Sequence, residues 1–218
     1  KKIKRNIYII SNFDLLKKQF FKLGYSVKLS RVDNIDEGVS NDSLKIINIG
    51  RLNYQKDQLT LLRAFKKLIN FRQSKLLIIG SGSDKKILKN YVVKNNLQKL
   101  VKFVSYTKNP FQYVALSDVK VLSSRFEGNP NILLEIASLK KLIISSDSKV
   151  GPKEILQKGK GGILFKVGDD NELFFILKKL NLKSANIKKK IQNSYNYVNK
   201  NYQKDISIMF LKLLKNLK

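Results

Sequence analysis

Short apolar runs alternate with amphipathic stretches along most of this chain. From Leu44 onward the runs are Leu44–Gly50 (LKIINIG), Lys75–Gly80 (KLLIIG), Val101–Ser105 (VKFVS), Val119–Ser124 (VKVLSS), Lys141–Ser146 (KLIISS) and Gly162–Val167 (GILFKV). Each is rich in Ile, Leu and Val and bounded by Gly, Ser, Asn or Asp, the pattern of strands buried on both faces. Between them the period lengthens. In 57–70, Leu61, Leu62, Phe65, Leu68 and Ile69 share one helical face with lysines opposite. A second helix over 84–95 has an N-cap signal in Ser83 or Asp84, and further helices are predicted near 109–116, 130–139, 152–157 and 171–180. Strand, helix, strand at this spacing predicts an α/β fold: a doubly wound, Rossmann-like parallel sheet.

The two ends read differently. Residues 1–43 hold one apolar stretch at Ile7–Ile10, a predicted helix around Asp14–Leu23 and a polar linker from Arg31. Residues 186–218 read as C-terminal helices. The last carries Ile206, Met209, Phe210, Leu213, Leu214 and Leu217 in a 3–4 spacing, with Lys212, Lys215 and Lys218 off that stripe. Such a stripe either docks onto the fold or an absent partner domain, or lies on an anionic membrane. There are no internal repeats.

Composition narrows the chemistry. The 218 residues contain no cysteine and no histidine, which removes disulfides, thiolate metal sites, a Ser-His-Asp triad and the usual zinc ligands. Any reaction must use carboxylates, lysines, arginines, hydroxyls or backbone amides. Lys+Arg number 44 against 16 Asp+Glu, formally +28, which favours an anionic partner: a nucleotide, a nucleic acid or acidic lipid headgroups. The lysines are spread through nearly every segment, as a lysine-rich proteome would also give. No apolar run approaches 18 residues, and the first residue is Lys1 with no signal peptide in view, so the chain reads as a cytoplasmic piece of something longer.

In doubly wound folds ligands bind where strand ends meet helix N-termini, so the four strand-end loops are the candidate sites. The first, Gly50–Asp57 (GRLNYQKD), sets Arg51 and Lys56 just before a helix, able to face one anion. The second, Gly80-Ser81-Gly82, has Lys85 where a dinucleotide fingerprint needs its third glycine, and reads as a tight turn. The third, Ser123–Glu135 (SSRFEGNPNILLE), runs through a Gly-Asn-Pro turn into a helix whose first N–H groups form an anion site. Its two carboxylates, Glu127 and Glu135, can accept from hydroxyls at opposite ends of a polyol. Equally, Glu127 could cap the helix and Glu135 pair with a lysine. The fourth, Ser146–Leu156, passes through Gly151-Pro152 into a short helix, and the Lys-Gly-Lys-Gly-Gly run after it is not a Walker A loop.

Together, GRLNYQKD at 50–57, IIGSGSD at 78–84, SDVKVLSSRFEGNPNILLEIAS at 117–138 and GPKEIL at 151–156 resemble the C-terminal domain of retaining GT-B glycosyltransferases of family four, formerly group 1. The order and spacing match over about 44–180, and Glu127-x7-Glu135 is similar to that family's hallmark. The resemblance implies a nucleotide-sugar donor domain at 44–185, preceded by a remnant of an acceptor domain and linker at 1–43. It implies that Gly50, Arg51 and Lys56 hold the donor diphosphate, that Glu135 holds the ribose hydroxyls, and that Glu127 contacts the transferred sugar. Amides of Gly128, Asn129, Asn131 and Ile132 would face phosphate and sugar, with Ser105 and Tyr106 near the base. Arg51, Lys56 and Glu127 would be the catalytic set.

Further implications follow from the same resemblance. The donor would be a UDP-linked hexose or N-acetylhexosamine and the acceptor a glycan or a lipid-linked glycan, in cell-surface polysaccharide or glycolipid synthesis. The configuration would be retained by a same-face displacement without a metal or other cofactor, this sequence having no Asp-x-Asp pair. The chain could instead be a donor-binding module that needs a separate acceptor-domain chain, and attachment to an anionic inner membrane face fits its charge. A nucleic-acid-binding protein would explain the charge, but it leaves the carboxylate pair without a role and lacks a recognised motif.

Overall fold

The computed structural model describes residues 43–107, 110–148 and 150–201. The predicted segments at Ile7–Ile10, Asp14–Leu23 and Ile206–Leu217, and the polar linker before Ser43, lie outside them. The described residues form six strands: β1 (Leu44–Ile49), β2 (Ser74–Ile79), β3 (Val101–Val104), β4 (Val119–Leu122), β5 (Leu142–Ser146) and β6 (Ile163–Phe165). Seven α-helices connect or follow them: α1 (Gln58–Leu68), α2 (Lys85–Lys94), α3 (Phe111–Ala115), α4 (Asn131–Ser138), α5 (Pro152–Ile155), α6 (Asp170–Lys179) and α7 (Ala185–Asn201). All strand pairings are parallel, in the order β3-β2-β1-β4-β5-β6. The fold expected from the apolar runs is therefore the fold observed.

Strand alternation sorts the side chains onto two covered faces. Ile46, Leu76, Ile78, Val119, Val121 and Ile144 turn toward α1, α2 and α6, where Leu61, Phe65, Leu88 and Leu173 complete one core. Ile47, Leu77, Ile79, Leu122 and Ile143 turn the other way and meet Leu133, Leu134, Ile136 and Ile155, with Val198 of α7. Each fully buried Leu, Ile or Phe contributes about 1.5–3 kcal/mol relative to exposure.

Two helix starts are capped by an aspartate, and a third carries one that does not cap. Asp57 caps α1 by accepting from the Thr60 N–H, and does so in the left-handed region (φ 42), which a short polar side chain tolerates. Asp169 caps α6 in the same way through the Glu172 N–H. At α2, Asp84 occupies the cap position, but its side chain makes no capping bond and instead accepts from the Ser83 hydroxyl at 2.8 Å. That helix start is tied down by its backbone, through the Asp84 N–H to the Leu52 carbonyl at 3.0 Å.

Candidate functional site

The strand order reverses direction between β1 and β4: the chain winds outward through β2 and β3 on one side, then returns to start β4 on the other. A crevice opens at the carboxyl ends of the two strands flanking such a point. The loops that follow them are the first and third candidates from the sequence, and the fold places them side by side.

They are joined by backbone and side-chain bonds. The Arg125 N–H donates to the Gln55 carbonyl at 2.8 Å, and Gln55 Nε2 donates to the Phe126 carbonyl at 3.1 Å. Ser123 Oγ donates to the Lys56 carbonyl at 3.0 Å. The Arg125 guanidinium reaches Asp57 at 3.1 Å and lies over the Tyr54 ring, 4.5 Å from its centroid. After β1 the chain makes a single 3-10 turn, Tyr54–Lys56, started by Asn53, whose side chain accepts from the Lys56 N–H. That turn lifts Lys56 over the crevice.

At the centre, Lys56 Nζ meets Glu127 Oε1 at 2.5 Å, and Ser124 Oγ donates to the same oxygen at 2.6 Å. The side chains are 19% and 5% exposed, so little solvent screens the pair. Glu127 therefore does not cap α4. The residue at that cap is Pro130, which makes no side-chain capping bond. The first N–H of this helix to find a backbone acceptor is that of Leu133, on the Pro130 carbonyl at 2.8 Å. The amides of Asn131 and Ile132 thus head a helix start of the kind that attracts anions. Beside them, a Cβ built on Gly128 would meet nothing within 4 Å, so the loop is open on this side.

The remaining residues singled out in the sequence are distributed along the same edge. Arg51 is exposed, and its carbonyl accepts from Gln58 Nε2 at 2.8 Å, which fixes the turn that displays it. Ser105 and Tyr106 follow β3 at the sheet's outer edge. Tyr106 is 78% exposed, while Ser105 Oγ accepts from Lys85 Nζ at 3.3 Å. Glu135 sits in the second turn of α4, partly buried, and burial pushes its carboxyl above the usual range, with the Lys120 amine pulling it partly back. A close Glu135–lysine ion pair is not seen among the described residues; the lysine that influences it, Lys120, acts through the field.

Two glycine loops are tighter than simple turns. A Cβ on Gly80 would lie 1.9 Å from the Gly50 carbonyl oxygen, and one on Gly82 would lie 2.2 Å from that of Leu52. The Gly80-Ser81-Gly82 segment is pressed against the backbone of the first loop, and only glycine permits that approach. Gly151 (φ 82) does the same for the third loop: its Cβ would sit 2.1 Å from the Gly128 oxygen and 2.6 Å from Pro130 Cδ. The second and fourth loops are thus backing for the first and third. Beside Glu127, an open groove of about 740 Å³ runs between Arg125, Phe126, Ser148 and Lys166. A smaller cavity of about 180 Å³ lies at the opposite, amino end of β1 and β2, away from these loops.

Sequence reading missed Lys120. It stands inside an apolar run, yet its side chain is wholly buried and Nζ donates to the Ile49 carbonyl at 3.2 Å. Burial, and then the nearby Lys56, pull its amine from the ordinary 10.5 down to about 7, against the opposing pull of Glu127 and Glu135. A lysine in an otherwise buried strand was the available signal.

The fold and crevice define a doubly wound domain whose switch point gathers a lysine, a glutamate and a helix start. Comparison with known proteins narrows this further. The family model for glycosyl transferases group 1 matches residues 31–205, and the chain belongs to that family. An uncharacterized glycosyltransferase of Methanocaldococcus jannaschii is 43% identical over 54% of this chain and 29% of its own length. The N-acetylgalactosamine-N,N'-diacetylbacillosaminyl-diphospho-undecaprenol 4-alpha-N-acetylgalactosaminyltransferase of Campylobacter jejuni is 29% identical over 85% of this chain and 50% of its own. The chain thus spans half or less of these relatives. Among solved structures, Anabaena HepE in complex with UDP and glucose superposes with a TM-score of 0.71 at 18% identity, over 97% of this chain and 55% of that one. This likeness establishes the shared GT-B-type fold. Among the described residues no helix is long and apolar enough to cross a membrane.

Proposed function

We propose that this chain is the donor-binding domain of a retaining glycosyltransferase that moves a hexose or N-acetylhexosamine from a UDP-sugar to a glycan or lipid-linked acceptor in surface-polysaccharide or glycolipid synthesis. The observation that carries the reading is the meeting of Lys56 and Glu127 at the switch point, in the loops that also carry Arg51 and lead into the start of α4. The names of the two relatives above, and the UDP and glucose bound to HepE, support the reaction class and donor.

The chemistry follows from the charges. As the bond from the anomeric carbon to phosphate oxygen breaks, negative charge grows on the departing diphosphate. Arg51, Lys56 and the Asn131 and Ile132 amides stabilise it where it develops. An arriving phosphate competes with Glu127 for the Lys56 ammonium, which frees the Glu127 carboxylate to accept from a sugar hydroxyl. Glu135, one turn deeper in α4, would accept from the ribose, and Ser105 and Tyr106 would flank the base. With these cations in place, the reading needs no metal ion. Acceptor recognition falls to residues before 44 or to another chain, and attachment to an anionic inner membrane face belongs to the same proposal.

Calorimetric titration with UDP and with GDP, without added metal, tests it. UDP should bind, and Arg51→Ala and Glu135→Ala should each weaken it about tenfold or more, the effect of one lost charge-assisted contact. A folded chain that binds neither nucleotide, or variants that bind unchanged, would overturn the site. Binding without transfer to any acceptor would favour a module that works only with a separate acceptor domain.

A further inference from the structure

Lys120 is placed oddly for a strand residue. Its Cα pairs in register with Ile47, but its Nζ bonds the carbonyl of Ile49, two residues further along β1. The side chain therefore runs along the sheet toward its carboxyl edge. It shares a face with Leu122, the face that α4 covers, and its amine reaches the end of β1, just before the turn that carries Arg51 and Lys56. Charged groups reach it from three elements: Lys56 from the turn after β1, Glu127 from the loop after β4, and Glu135 from α4. Glu127 is already paired with Lys56. The buried amine is thus left with weak net compensation for a positive charge, in a place where an incoming anion would supply it.

Building on the donor-site reading, we propose that Lys120 is a proton-coupled positioning residue: when a nucleoside diphosphate settles over the Gly50–Lys56 turn, the Lys120 amine takes one proton from solvent and holds it as a buried countercharge. The proton comes from bulk water and no covalent bond changes. Before the nucleotide arrives, burial and Lys56 keep the amine largely neutral above pH 7. A negative charge on the turn just beyond the end of β1, in a partly desolvated site, raises the proton affinity of such an amine roughly tenfold or more. The resulting ammonium still donates to Ile49 and so holds the end of β1, where the phosphate-facing turn begins.

The test is titration of UDP into the 218-residue chain at pH 8.0, where the terminal phosphate of UDP is already ionised, in Tris and in HEPES. The difference in observed heat between buffers counts protons. The unaltered chain should take up about 0.4–0.8 proton per UDP, the difference between an amine mostly neutral when free and half or more charged when bound. Lys120→Met should bind UDP with no uptake, and Lys120→Arg, always charged, should also show none. Between pH 7.5 and 9 UDP affinity should fall several-fold in the unaltered chain and stay flat in Lys120→Met. UDP binding without proton uptake overturns the proposal, as does uptake that persists in either variant. If Lys120→Met does not fold, Lys120→Arg and the proton count of the unaltered chain still decide. Failure of the unaltered chain to bind UDP or GDP removes the donor-site reading itself, a different outcome from binding without uptake.

Discussion

On the α1 side of the sheet, Ile46, Ile78, Val121 and Ile144 pack against Leu61, Phe65 and Leu173, hydrocarbon on hydrocarbon. On the α4 side, Leu122 and Ile143 have beside them a fully buried lysine and a half-buried glutamate. Both faces are covered by helices, and the same alternation of residues builds them. They differ because the α4 side leads up to the loops at the switch point, where charged groups converge. A buried amine costs stability wherever it is placed. Here that cost falls on the face whose helix also presents its N-terminus to the crevice. One face holds the domain together, and the other carries the polar machinery at some expense to stability.

The sharpest way to break this comparison is to hollow out the apolar face. Phe65→Ala removes a fully buried ring from α1 and should lower unfolding stability by about 3–5 kcal/mol, read by urea denaturation. A loss under about 1 kcal/mol would mean that this face is not the main source of stability.

On the other face the effect depends on pH. The Lys120 amine sits near 7 in the folded state and at the ordinary 10.5 when unfolded. Between those values the unfolded chain binds more protons, so stability rises with pH, by about 1.4 kcal/mol per pH unit at most. Below pH 7 both states are protonated and the contribution is flat. From pH 7 to pH 9 the unaltered chain should therefore gain up to about 2.5 kcal/mol relative to Lys120→Met. Parallel stability curves for the two proteins would show that the amine is not charged on unfolding in this window.

The smallest effects compare two ion pairs. Lys67 of α1 meets Asp170 of α6 at 2.5 Å, with side chains 39% and 20% exposed. Solvent screens that pair, and Lys67→Ala should cost less than about 1 kcal/mol. Lys56→Ala strands the Glu127 carboxylate, which is only 5% exposed, and should cost about 2 kcal/mol. Equal losses in denaturant midpoints would mean that the crevice is as wet as the surface.

The elements of this fold were legible in the residue pattern. Each of the six apolar runs became a strand to within two residues at either end, and the stripe of Leu61, Leu62, Phe65 and Leu68 became the buried face of α1. Periodicity is a local property, and a strand buried on both faces or a helix buried on one needs only its own residues to declare it. The candidate loops were legible for a related reason: in a parallel sheet every strand end that precedes a helix lies on the same edge.

What the pattern could not contain is which loops would touch. Lys56 and Glu127 are 71 residues apart and meet because β4 returns to lie beside β1. The need for glycine at 80, 82 and 151 arises from backbone that belongs to other loops. Lys120 is one of many scattered lysines in the sequence, and only the sheet encloses it and carries its amine to the Ile49 carbonyl. Local sequence sets the period and polarity of each element. Strand order decides which charges share a low-dielectric crevice, and that long-range choice set the pairing of Glu127 and the burial that lowers the proton affinity of Lys120.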